Sequence, residues 1–255
     1  MGFSFSTVLL QGNWGGDKAA LFAEKRRLCF TDRAFLAYAF PQRKGVVVGK
    51  RLALFDWNGT LLDDMPAWYS AVRAIFDAFD AAPPTLGEFF EEQKSGSVMS
   101  MYERYGVVAS RDELNVIYAA AYKKSMKHLA LARGAREVLA ELKRRGVVLG
   151  IVSAQIPELF TPLFDRMKIA HLFSYVKTGV SDKAACIAEI VASEQLPTGL
   201  ACYAVGDTPS DIRAARNANV TAVAYLNGYV PRELFSHSGP YVEIRRFREL
   251  LDLIP

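Results

Sequence analysis

Two hydrophobic periodicities alternate along the chain from Arg51 onward. Short apolar runs that stop abruptly recur as LALFD (52–56), VVLGIVS (147–153), FSYVKTG (173–179), ACYAVGD (201–207) and TAVAY (221–225). Their length and content of branched and aromatic residues predict buried strands. Between them apolar residues return every three or four positions, as on one face of a helix. Such alternation predicts an α/β fold, a doubly wound and mostly parallel sheet covered by helices. Four runs end on polar or charged residues, and three of those ends are Asp56, Ser153 and Asp207. In an open parallel sheet ligands bind beyond the carboxyl ends of the strands, so these side chains should converge on one crevice.

Between Asp63 and Arg133 the strand pattern disappears. Val72, Ile75, Phe76 and Phe79 follow Pro66 at helical spacing, and proline is tolerated in a first helical turn. Thr85–Glu88 and Ser110–Glu113 both read as capping boxes, each opening a helix. Leu114, Ile117, Tyr118 and Ala121 form the apolar stripe of the second. The pattern predicts a helical cap over residues 65–131, inserted into a core made of residues 51–64 and 132–255. The core resumes through a helix that turns Leu131, Ala135, Val138, Leu139 and Leu142 inward and stops at Gly146.

Charge divides the chain unevenly. Residues 1–51 hold nine Lys/Arg against three Asp/Glu, whereas the remainder holds 22 against 24. The net charge of +4 therefore belongs to an N-terminal extension, residues 1–50, to which no role is assigned. A nearly neutral body gives no reason to expect a nucleic-acid partner. No apolar run reaches the roughly 18 residues needed to cross a bilayer. Cys29, Cys186 and Cys202 are scattered and odd in number, the pattern of reduced thiols in a cytoplasmic protein. GNWGGDK (12–18) lacks the spacing of a phosphate-binding loop and reads as a turn.

The chemistry lies in the strand ends. Asp56 closes the first run at a Trp-Asn-Gly-Thr break. Asp207 closes another in GDTPSD, with Asp211 in the first turn of the next helix. Alone, Asp56 is explained by turn formation and Asp211 by capping with Thr208. Together, two strand-end carboxylates with a third behind them form a hard-oxygen site suited to Mg²⁺. Ser153 and Lys183 add a hydroxyl and a cation, groups that hold phosphoryl oxygens and neutralise developing charge.

The order Asp, Ser, Lys, Asp-x-x-x-Asp resembles the haloacid dehalogenase (HAD) superfamily, in its capped, phosphoglycolate-phosphatase-like branch. The resemblance covers residues 51–254: DWNGTLLDD (56–64) matches the first motif, Ser153 the second, Lys183 the third and GDTPSD (206–211) the fourth. It implies a Rossmann-like core with a helical cap. It also implies a phosphatase that turns over a small phosphorylated metabolite through an aspartyl-phosphate on Asp56. In that scheme Asp56, Asp207 and the Asn58 carbonyl ligate Mg²⁺, and Asp211 supports the metal. Thr60 and Ser153 position the phosphoryl group, and Lys183 screens its charge.

One residue departs from the pattern. The family's phosphatases usually carry Asp where this chain has Asn58, and an amide cannot transfer the proton to or from the reacting oxygen. Loss of such a group slows a reaction by roughly 10²–10⁴-fold. Asp63, Asp64 or Glu91 would have to deliver the proton if any carboxylate does. Two alternatives accompany this reading. One is a phosphonate hydrolase using a cap lysine (Lys94, Lys123, Lys124 or Lys127) as Schiff base; the other is a phosphoryl-binding protein without turnover.

Overall fold

The computed structural model of the protein describes residues 49–92, 98–196 and 199–255. The extension up to residue 48, including Cys29 and the GNWGGDK turn, and Lys94 lie outside them. The first strand, β1 (Arg51–Phe55), leads into a short ribbon strand β2 (Leu62–Asp63) and then into the cap. Four cap helices follow: α1 (Met65–Ala78), α2 (Leu86–Glu92), α3 (Val98–Arg104) and α4 (Arg111–Ser125). The chain returns through β3 (Ala130–Leu131), which pairs antiparallel with β2. Two strands of two residues each thus connect cap and core.

The core continues through α5 (Ala135–Arg144), β4 (Val147–Val152), α6 (Pro157–Met167), β5 (Tyr175–Lys177) and α7 (Lys183–Ser193). It closes with β6 (Gly199–Gly206), α8 (Pro209–Asn217), β7 (Val220–Tyr225), β8 (Val242–Ile244) and α9 (Leu250–Leu253). The six core strands pair in parallel in the order β5-β4-β1-β6-β7-β8. This is the doubly wound sheet expected. β1 lies in the middle because it is buried on both faces: Leu52, Ala53, Leu54 and Phe55 are almost wholly inaccessible. A strand with no polar face fits only there.

Both capping boxes close. Ser110 Oγ accepts from Glu113 N while the Glu113 carboxylate accepts from Ser110 N, and Thr85 and Glu88 make the same exchange. The α5 stripe buries Ala135, Val138, Leu139 and Leu142 as expected, while Leu131 sits half-buried on β3 ahead of that helix. The α1 stripe buries Val72, Ile75 and Phe76, but Phe79 falls past the last turn and is exposed. On α4 the fully buried aromatic is Tyr122, one position beyond the expected stripe. These elements form two apolar clusters, one on each side of the sheet, and the second runs from β1 and β6 into the cap through Met65, Val72 and Phe89.

Candidate active site

The parallel ladder carries the strand-end groups to one edge. The N–H of Asp56 donates to Val205 O at 2.9 Å, and that of Ser153 donates to Lys177 O at 2.9 Å, so each sits one step past its strand. Asp207 directly follows β6, and Lys183 opens α7. Ser153 Oγ accepts from Gln155 N at 3.1 Å. Asp56, Ser153, Lys183 and Asp207 all border one cavity of about 340 Å³ between the strand ends and the cap.

Lys183 organises the floor of this cavity. Its Nζ lies 2.8 Å from Asp56 Oδ1 and 2.6 Å from Asp211 Oδ1. Burial by itself would lower the ammonium pKa, but the Asp211 and Asp56 carboxylates outweigh it and raise the value. The group is therefore a permanent cation. Burial pushes Asp56 up to about 6, with Lys183 opposing and Asp211 adding to the rise. Asp56 is consequently mostly ionised at neutral pH.

Asp207 is fixed from two sides. Thr60 Oγ1 donates to its Oδ1 at 2.9 Å, and Asn227 Nδ2 donates to its Oδ2 at 2.9 Å and to Gly59 O at 2.9 Å. Burial, then the Asp211 and Asp56 charges, raise its pKa well above the usual range. Two glycines make this crowding possible. Gly59 has φ +70°, and a Cβ there would stand 2.2 Å from Asp207 Oδ2; one at Gly206 would stand 2.2 Å from Asp211 Cβ. A side chain at either position would displace a carboxylate.

Asp56, Asp207 and Asp211 can each turn an oxygen into one region, with these atoms within 4.8 Å of one another. It is the one such cluster among the described residues. Three buried carboxylates against one lysine leave a deficit of positive charge, and an all-oxygen donor set fits a hard divalent cation such as Mg²⁺. The oxygens of Asp211 already accept from Lys183 and, as a cap, from Thr208, so its contribution is charge at close range.

Asn58 belongs to a second network. Its Nδ2 donates to Asp64 Oδ2 at 2.5 Å and approaches the Tyr122 hydroxyl at 3.3 Å. The Tyr122 hydroxyl donates to Asp64 Oδ2, and Gly59 N donates to Asp64 Oδ1 at 2.8 Å. Asp64 is fully buried where the chain enters the cap. Burial raises its pKa against the pull of these three donors. A carboxylate accepts only, so the Asn58 NH₂ is committed to this network and its Oδ1 is the amide atom left for the cavity. The other carboxylates considered as proton donors, Asp63 and Glu91, are exposed and do not border the cavity.

One residue stands elsewhere than expected. Thr60 is fully buried behind Asp207 and does not face the cavity, because its hydroxyl satisfies that carboxylate. Trp57 fills the junction between β1 and α6, its ring 4.9 Å from that of Phe160 and 6.0 Å from that of Phe164. The histidines His128, His171 and His237 are exposed and outside the site. Neither Cys186 nor Cys202 is in a disulfide.

Residues 53–225 match the haloacid dehalogenase-like hydrolase family along two thirds of the chain. The chain belongs to the HAD-like hydrolases. A phosphoglycolate phosphatase from Pseudomonas fluorescens is 27% identical over 218 residues, covering 79% of this chain and 78% of its own. Another from Synechococcus elongatus is 26% identical over 183 residues, covering 71% and 85%. A HAD-like family hydrolase from Streptococcus pneumoniae shares the fold at a TM-score of 0.66 and 20% identity, covering 80% of this chain and 98% of that one.

Sequence reasoning missed Asn227, Tyr122 and Gln155. Asn227 follows the end of β7 in an Asn-Gly pair that reads as a turn. Tyr122 lies among apolar cap positions, where nothing distinguishes a phenol that bonds from one that packs. Gln155 lies two residues past Ser153 and borders the cavity, its Oε1 accepting from Ile156 N at 3.1 Å.

Proposed function

We propose that the protein is a Mg²⁺-dependent phosphomonoester hydrolase that works through an aspartyl-phosphate on Asp56. The observation that carries this reading is the placement of Asp56 on the cavity floor, 2.8 Å from Lys183 and adjoining Asp207. An Asp56 carboxylate oxygen attacks phosphorus, and the bond from phosphorus to the ester oxygen breaks. The departing alkoxide takes its proton from water. A second water then attacks the acyl phosphate, releasing inorganic phosphate and regenerating Asp56.

Lys183 offsets charge between the carboxylate and the transferring group, and Ser153 offers a hydroxyl to a phosphoryl oxygen. Asp56, Asp207 and the Asn58 carbonyl would hold the Mg²⁺, with Asp211 behind them; the bound ion supplies electrostatic stabilisation of phosphoryl charge. Asn58 offers an acceptor, Oδ1, to a water or substrate hydroxyl but moves no proton. Leaving groups that need no proton, as in acyl or aryl phosphates, therefore react faster than alkyl phosphates. Hydrolysis of the aspartyl-phosphate is slow for the same reason.

The test is hydrolysis of acetyl phosphate and p-nitrophenyl phosphate with Mg²⁺ and with EDTA, beside trapping of the phosphoenzyme. Wild type turns over only with the metal, shows a burst and yields a labelled Asp56. Asp56→Asn is inactive and unlabelled. Steady-state release without burst or label would refute the slow second step, and activity in Asp56→Asn would remove the nucleophile. The Schiff-base alternative has little support, since Lys123, Lys124 and Lys127 are exposed and none borders the cavity. A protein that only binds phosphate would leave Asp56 unlabelled.

A further inference from the structure

Above the floor, the cavity wall is apolar. Trp68, Val72, Ile75, Phe89, Phe90 and Leu114 face it from three cap helices. The Trp68 ring meets Phe89 edge-on at 4.9 Å and lies parallel to Phe90 at 5.9 Å. A phosphoryl group at Asp56 leaves its alcohol portion nowhere to go within this cavity except against that wall. At about 340 Å³ the space falls within the range of sites that enclose a drug-sized ligand.

Cations are scarce there. Among the described residues, Arg111 is the one basic group bordering the cavity besides Lys183. It opens α4 on the exposed side, followed by Asp112 and Glu113 in the same turn. The polar groups that border the cavity above the floor are otherwise neutral: the Asn115 and Gln155 amides and the Tyr102 and Tyr118 phenols, whose pKa values burial raises. A carboxylate carried on the leaving group would lose its water among aromatic rings without a buried cation in exchange, which is strongly unfavourable. An uncharged aromatic or branched body is favoured there by burial and by ring–ring contact.

We propose, on the basis of the phosphatase reading above, that the substrate is a phosphomonoester of an uncharged, largely apolar alcohol or phenol. A small carboxylate-bearing phosphate such as phosphoglycolate does not match the wall.

The experiment compares benzyl phosphate with phosphoglycolate, whose alkoxides leave about equally poorly, on the full chain with Mg²⁺. Acetyl phosphate runs beside them as a report on Asp56. Benzyl phosphate is expected to show at least tenfold higher kcat/KM, expressed mainly in KM, consistent with what a hydrophobic pocket can discriminate. Trp68→Ala should raise KM for benzyl phosphate about tenfold and erase most of the preference, and Trp68→Phe should restore it. A preference for phosphoglycolate, with acetyl phosphate still hydrolysed through Asp56, overturns the substrate class and leaves the phosphatase standing. Failure of all three compounds with Asp56 unlabelled overturns the reading beneath it, and the substrate class with it.

Discussion

The floor of the cavity is built from three carboxyl groups and a lysine held by named partners, whereas its roof is built mostly from aromatic and branched side chains. On the floor, Asp56, Asp207, Asp211 and Lys183 are buried close together, and each is fixed by hydrogen bonds from strand ends or helix starts. On the roof, Trp68, Phe89 and Phe90 pack against one another within a larger apolar cluster. The floor lies at the ends of a six-stranded sheet, and the roof hangs from a two-stranded ribbon. On the function proposed above, the charged floor would set which bond is broken, and the mostly apolar roof would set which alcohol is accepted. The same scaffold can therefore keep its reaction while changing its substrate, as expected when a site is grafted on a widely used fold.

The sharpest way to break the floor is to remove its cation. Lys183→Met leaves Asp56 and Asp211 uncompensated, so turnover should fall about 10²–10³-fold. The metal-free protein should lose roughly 3–5 kcal/mol by denaturant unfolding, the usual penalty for orphaning a buried charge. An intact melting curve would show that Lys183 is not the floor's counter-ion.

Asn58 and Asp64 join floor and roof, since Tyr122 reaches Asp64 from the cap. Asn58→Asp alone sets two carboxylates against each other and should destabilise the protein by about 1–3 kcal/mol, with little gain in rate. Asn58→Asp with Asp64→Asn exchanges donor and acceptor within the same hydrogen bond. It should recover stability and raise hydrolysis of an alkyl phosphate about 10²-fold by restoring an acid–base group. If the single variant is as stable and as fast as the double one, the two positions are not coupled.

The smallest effect separates the floor's charge from the roof's packing by pH. Asp56 titrates near 6 in the fold against an ordinary value near 4, so between these values the folded state binds more protons than the unfolded state. Stability from this group is therefore highest below about pH 4 and declines as pH rises through 6. Asp207 acts in the same direction. Metal-free protein should melt a few degrees higher at pH 5.5 than at pH 7.5, and saturating Mg²⁺ should shrink that difference by stabilising the ionised carboxylates. Asp56→Asn should also shrink it. An unchanged difference in both cases would place the pH dependence elsewhere.

Part of the floor was legible in the sequence because its strand-end groups interrupt an apolar pattern. Asp56, Ser153 and Asp207 stand where a hydrophobic run stops, and the topology of a parallel sheet brings such ends together. Lys183 and Asp211 gained meaning only through their order along the chain. The roof was legible as helices but not as a surface. Trp68, Phe89 and Phe90 look the same in sequence whether they line a cavity or fill one. Asp64 was the hardest to read. An acid beside Asp63 at the entrance to a helix reads as solvated, and its burial follows from Tyr122, 58 residues away, closing over it. Long-range hydrogen bonds of this kind leave no periodic trace.

The bond between Asn58 and Asp64 also orders the ways in which such a sequence can change. Substituting the amide first passes through a protein with two opposed buried acids, while neutralising position 64 first passes through one that merely loses an acceptor. Of the two single steps, the second is the safer. A lineage carrying this pair would thus keep its amide through long periods of drift, even where an acid at position 58 would serve it better, until a neighbour with no contact to substrate had changed beforehand.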